Sequence, residues 1–201
     1  MTIKSLLLIL IGLLFIGCNP TPTNKAFRHQ TTPTKTEAIL KLDTKGHTAK
    51  IQDIIVTKSK DIISASDDKT IRVWDSATGV EKRKILGEIG AGSEGKIFTM
   101  ALSPNEEFLA VGGFILGSGK NGKRAGVIRI YNYQNGKLLK LLKSHLDIVN
   151  DLAFSPDGRF LISGSSDKTS KIWRVKDFSL VNTIKIHRKQ VYAVKIIQNQ
   201  K

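Results

Sequence analysis

Ile63-Ser64-Ala65-Ser66-Asp67-Asp68-Lys69-Thr70-Ile71-Arg72-Val73-Trp74-Asp75 returns 99 residues later as Ile162-Ser163-Gly164-Ser165-Ser166-Asp167-Lys168-Thr169-Ser170-Lys171-Ile172-Trp173-Arg174. In both copies an aspartate precedes the tryptophan by six positions, Asp68 to Trp74 and Asp167 to Trp173. Upstream of each, a histidine follows a small residue, Gly46-His47 and Ser144-His145, 27 and 28 positions before the tryptophan. A unit that recurs with several fixed offsets implies a repeat architecture, in which each unit buries its faces against its neighbours.

Working outward from these two stretches, residues from 37 onward show no helical periodicity, only short β-rich runs separated by turn residues. The first unit predicts strands near 50–57, 61–66, 70–75 and 81–86, with turns at Asp67-Asp68-Lys69 and Ala77-Thr78-Gly79. Ala38–Leu42 reads as an outer strand ahead of it. Another complete unit predicts strands at Val149–Phe154 and near 159–165, 169–175 and 179–186. Its Ser155-Pro156-Asp157-Gly158 turn combines a proline that presets φ with a glycine suited to positive φ.

Between them lies a degenerate copy. Phe98–Pro104 matches the run from Val149, and Phe108–Gly113 matches the run from Phe160. Val111 stands at the serine position, no aspartate occupies the hairpin, and Tyr131 replaces the tryptophan. Phe108 to Tyr131 spans 23 positions against 13 for Phe160 to Trp173, so the hairpin carries an insertion. A last unit begins at Ile186-His187 and predicts one inner strand over Val191–Ile197.

These residues resemble the WD-repeat family of β-propellers, whose unit opens near Gly-His and closes near Trp-Asp. The resemblance covers about residues 37–197 and implies an all-β fold: an open, partial propeller of four-stranded antiparallel blades. The units run over about 46–87, 90–143 and 144–186, with a truncated unit at 187–201. Propellers close with about four to eight blades, so the expectation is the amino-terminal part of a longer propeller, completed by missing blades or by self-association. The resemblance also implies a hydrogen-bonded chain inside each blade, made here by His47, Ser64, Asp68 and Trp74, and by His145, Ser163, Asp167 and Trp173.

Histidine, serine and aspartate together also suggest a hydrolase. Their recurrence at the same place in two units argues for architecture, because a catalytic set occurs once. No Cys/His cluster has metal-ligand spacing, and neither metal nor cofactor is expected. Gly90-Ala91-Gly92-Ser93-Glu94-Gly95 and Gly117-Ser118-Gly119-Lys120-Asn121-Gly122 both fit G-x-G-x-x-G, but β-rich runs follow them where phosphate binding needs a helix. Lys120, Lys123 and Arg124 on the inserted hairpin are candidates for contact with an anionic partner.

The amino terminus reads differently. Ser5–Ile16 is a 12-residue apolar run behind Lys4, the length of a signal-peptide core and short of the roughly 20 residues of a spanning helix. It ends at Phe15-Ile16-Gly17-Cys18, which resembles a bacterial lipobox and implies lipidation of Cys18, the only cysteine. Residues 1–17 are thus expected to be a signal peptide. Residues 18–36, with Pro20, Pro22, Pro33 and no branched aliphatic side chain, are expected to be a disordered tether ahead of the propeller at 37–201.

The functional expectation is a non-enzymatic interaction or scaffold module. It would be exported, anchored in the bacterial cell envelope by lipid on Cys18, facing the periplasm or exterior, and would present loops to a protein or peptide. The formal charge of +15 keeps open a binder of anionic polymer, nucleic acid or anionic lipid. Its basic residues are scattered without the aromatic interleaving of a stacking platform, which disfavours nucleic acid. A third expectation, the propeller part of an enzyme with its catalytic domain beyond residue 201, finds no residue in this chain to support it.

Overall fold

The structure, a computed structural model, describes residues 46–87, 94–114 and 126–197. The apolar run, Cys18, the tether, the Ala38–Leu42 strand, the first glycine pattern except Glu94 and Gly95, and Lys120, Lys123 and Arg124 lie outside the described residues.

Twelve strands form three four-stranded antiparallel sheets that do not close into a ring. The first blade contains β1 (Ile51–Val56), β2 (Ile62–Ser66), β3 (Thr70–Trp74) and β4 (Glu81–Leu86). The second contains β5 (Lys96–Leu102), β6 (Phe108–Phe114), β7 (Val127–Asn132) and β8 (Leu138–Lys143). The third contains β9 (Val149–Phe154), β10 (Phe160–Ser165), β11 (Ser170–Arg174) and β12 (Ser179–Ile184). Within each sheet the strands pair in chain order, so every connection is a hairpin.

The blades pack through alternation along their strands, since successive side chains of a strand point to opposite faces. Ile63, Ala65, Ile71, Val73 and Ile85 of the first blade meet Ile97, Met100, Leu109, Val111 and Tyr131 of the second in one core. The opposite face of the second blade, with Ala101, Ala110, Ile128, Ile130 and Leu142, meets Val149, Leu152, Leu161 and Trp173 of the third. Both faces of β6 are therefore covered, and Phe108–Phe114 contains no polar side chain. Every blade interrupts its ladder at the same place on the outer hairpin, next to Trp74, Tyr131 and Trp173. Such bulges re-aim a side chain while the pairing resumes beyond it.

The Ser-Pro-type turns also repeat a geometry that their sequences hide. Gly158 has φ +71°, and Lys60 and Glu106 take the same left-handed backbone at the matching positions, with φ 67° and 56°. Lys69 and Lys168 do likewise in the inner hairpins, at 69° and 67°. Each of these lysines and the glutamate bears a steric cost that glycine avoids.

Residues 191–197 form no strand ladder, contrary to the inner strand expected there. A strand requires a run of ladder bonds to a neighbour, and this segment makes one backbone bond to the described residues, Val191 N–H to Ser165 O at 3.0 Å. It is nonetheless docked in register. Asp53 of β1 accepts the Met100 N–H of the next blade at 2.6 Å, and Asp151 of β9 accepts the Val194 N–H at 2.7 Å. A Cβ on Gly112 would come within 2.8 Å of Val149 Cγ1, and one on Gly164 within 2.8 Å of Val191 Cγ1. Only glycine permits either approach. Residues 191–197 thus lie where the inner strand of a fourth blade belongs.

Candidate functional site: paired polar chains and the blade faces

The hairpin register sets the site. Ser64 pairs with Arg72 and Ile62 with Trp74, so Ser64 and Trp74 share one face of the first blade. The Trp74 indole N–H donates to Ser64 Oγ at 2.7 Å, and His47 Nε2 stands 2.7 Å from the same oxygen. His47 Nδ1 lies 2.8 Å from Asp68 Oδ2. The third blade repeats this at 3.0 Å for Trp173 to Ser163, 2.7 Å for His145 to Ser163 and 2.8 Å for His145 to Asp167. The eight residues therefore meet as two sets of four.

The hydrogens in each set balance in one arrangement. Indole nitrogen only donates, so the serine oxygen accepts from it and passes its own hydrogen to histidine Nε2; Nδ1–H then donates to the carboxylate. Two threonines absent from the sequence argument complete the set. Thr70 and Thr169 donate to Asp68 and Asp167, each at 2.6 Å. The Thr48 and Leu146 backbone N–H groups add further bonds to the same carboxylates. Burial alone would raise the Asp68 carboxyl, but the hydrogen bonds from the Thr70 hydroxyl, His47 and the backbone amides of Thr48 and Thr70 outweigh it and lower it to about 2. Asp167 is likewise held well below the ordinary carboxylate range, its burial outweighed by His145, Thr169 and the Leu146 amide.

An Asp–His–Ser chain at these distances is also the layout of a nucleophile and its base. Burial distinguishes the two: Ser64 is 3% exposed and Ser163 is fully buried, and each hydroxyl already accepts an indole hydrogen. Both side chains are withdrawn from the surface. Among the described residues no group of three or more His, Cys, Asp or Glu side chains is arranged to hold a metal.

In the second blade Val111 and Tyr131 are both buried, and Val111 offers no hydroxyl where its neighbours have serine. Two positions before each tryptophan or its tyrosine substitute stands a buried cation: Arg72, Arg129 and Lys171. Arg72 pairs with Glu81 at 2.5 Å, and Lys171 donates to Thr183 at 3.2 Å. The recurrence of Thr70 and Thr169, of Asp53 and Asp151, and of these cations at matching offsets was the signal that would have exposed them in the sequence.

The face of the first blade that carries Trp74 presents Ile54, Val56 and Leu86 at 53%, 66% and 64% exposure. Their cross-strand partners Ser64, Ile62 and Thr70 place them there. Apolar residues on one sheet face at such exposure mark a surface suited to association.

Three sheets of this topology, two of them with this polar chain, define WD-repeat blades of a partial propeller. The chain is a WD-repeat protein: residues 39–75 and 136–174 match the model of the WD domain, G-beta repeat, family. It is 33% identical over 156 residues to a ribosome biogenesis protein WDR12 homolog of Trichoplax adhaerens, covering 74% of this chain and 32% of that protein. It is 29% identical over 164 residues to the serine-threonine kinase receptor-associated protein of Homo sapiens, covering 64% of this chain and 44% of that protein. Among solved structures it is similar to U3-55K and to the RRP9 WD40 repeats. Each match has a TM-score of 0.63 and 28% identity, over 73% of this chain and 42% of the other. The chain spans less than half the length of these relatives. WD-repeat proteins bind protein partners.

Proposed function

We propose that this chain is a non-enzymatic interaction scaffold that engages a protein partner through its open blade faces. The observation that carries this reading is the docked segment at 191–197: Asp151 and Gly164 hold it where a further blade would begin. Further blades, supplied by a partner or by a second copy, would cover Ile54, Val56 and Leu86 on the opposite side. The apolar run ending at Gly17-Cys18 supports export and a lipid anchor in a bacterial cell envelope, with residues 18–36 as the tether.

A photo-crosslinking residue at Val56 tests the scaffold reading in cells that produce the full chain. The expected product is a discrete adduct to a second polypeptide, absent when the same residue is placed at exposed Lys140. Monomer alone from Val56 would refute it. The charge of +15 supports a second reading, a binder of anionic polymer. Its mark would be an affinity that survives Val56→Glu and falls steeply with salt.

A further inference from the structure

The joint between the first and second blades differs from the next in one respect. Trp173 packs into the second joint, whereas Tyr131, a smaller ring, stands at the matching place in the first. A cleft of about 510 Å³ opens there between β4 and β7–β8. That volume lies within the range of small-ligand sites. Its polar lining is Arg83, Arg129, Tyr131 and Asn135, with Leu138 on one apolar wall. Among the described residues no carboxylate lines it.

Arg83 is already oriented. Its guanidinium lies 5.1 Å from the Tyr133 ring centre, and one terminal nitrogen donates to the Gln134 carbonyl at 2.5 Å. Its Nε is buried and makes no hydrogen bond with the described residues. A guanidinium fixed by stacking and by one bond presents its other donors in a rigid fork, the geometry that suits oxyanions. Lys84, paired with Arg72, points to the other face of β4 and away from the joint, whereas Arg129, 1% exposed, is held in its interior. Two guanidinium groups, those of Arg83 and Arg129, thus flank one cavity, and both attract an anion placed in it.

We propose that this cleft is a binding site for a phosphate-class oxyanion, either the free ion or the phosphoryl end of a small ester whose body rests on Tyr131 and Leu138.

Calorimetric titration of the full chain at constant ionic strength tests this, with inorganic phosphate, diphosphate and phenyl phosphate as probes. Saturable one-to-one binding is expected. Arg83→Gln should weaken it at least tenfold, while Lys185→Gln, which removes the same charge elsewhere, should change it less than twofold. Tyr131→Trp keeps every cation and fills the cavity, and it too should weaken binding at least tenfold. Tighter binding of phenyl phosphate than of inorganic phosphate identifies an ester; the reverse order identifies the free ion. Equal losses in the two charge variants, or no saturable binding of any probe, would show only diffuse attraction to a basic surface and overturn the site.

Discussion

Asp151 accepts the backbone N–H of Val194 at 2.7 Å, the same bond that Asp53 makes to Met100 one blade earlier. The second of these bonds joins two complete blades. The first joins a complete blade to a segment that has no sheet of its own. Asp151→Ala should therefore loosen the segment around Val194, still tethered by Val191 to Ser165, with little effect on the three sheets. The Val194 amide should exchange with solvent at least tenfold faster, while amides of β10 and β11 keep their protection. Unchanged exchange at Val194 would show that the Val191 bonds to Ser165 and Asn150, with the fit at Gly164, hold the segment without Asp151.

The buried aromatic positions should differ in worth. Trp173→Ala removes a side chain 3% exposed together with the indole donor to Ser163, and should cost on the order of 3–5 kcal/mol. Tyr131→Ala should cost less, since its ring is smaller and a cleft already adjoins it. Urea denaturation of both variants checks the order, and equal losses would contradict it.

Acid should act through the two polar chains. Folding lowers the Asp68 carboxyl from 3.8 to about 2 and moves Asp167 the same way. The unfolded chain therefore binds more protons than the native one in this window, and stability drains as pH falls from about 4 towards 2. Above pH 4 the contribution is complete. The double variant Asp68→Asn, Asp167→Asn should be less stable at pH 7 and show a flatter decline below pH 4. A decline as steep as that of the parent would assign acid sensitivity to other groups.

Lys168 adopts φ 67° in an exposed hairpin. Lys168→Gly should stabilise the protein by about 0.5–1 kcal/mol, because relief of the left-handed strain exceeds the added freedom of the unfolded chain. Thermal unfolding measures it. A lower midpoint would mean that the lysine side chain supplies more than its backbone costs.

Export and lipidation have a direct mass readout. The mature protein is expected to begin at Cys18 with acyl groups attached, and Cys18→Ser should leave it unacylated. A mass that retains Met1 with no acyl group would end that proposal.

The blades were legible because their signals are local. Six positions from Asp68 to Trp74 are a hairpin's worth of chain, and Ser155–Gly158 is a turn by its own chemistry. Even the middle blade, with Val111 and Tyr131 in place of serine and tryptophan, kept enough alternation to place β5 and β6. The joints were less legible, because their partners are far apart in sequence. Asp53 to Met100 is 47 positions, and no local pattern announces that the carboxylate faces an amide in the next sheet. The strand expected at 191–197 failed for a related reason: its alternation is that of an inner strand, but alternation does not supply the hydrogen-bonding neighbour. The cleft beside Tyr131 was invisible, since a single ring substitution says nothing about which cations will surround the space it vacates.

The glycine–valine approach at Gly112 and Val149 recurs at Gly164 and Val191, where a Cβ on either glycine would stand 2.8 Å from the valine Cγ1. A coupling that repeats without adjustment is an interchangeable fitting. A tandem duplicate of residues 144–186, spliced in after Ile186, would meet the existing third blade through contacts the chain already makes, and the arc could be lengthened one blade at a time by copying alone.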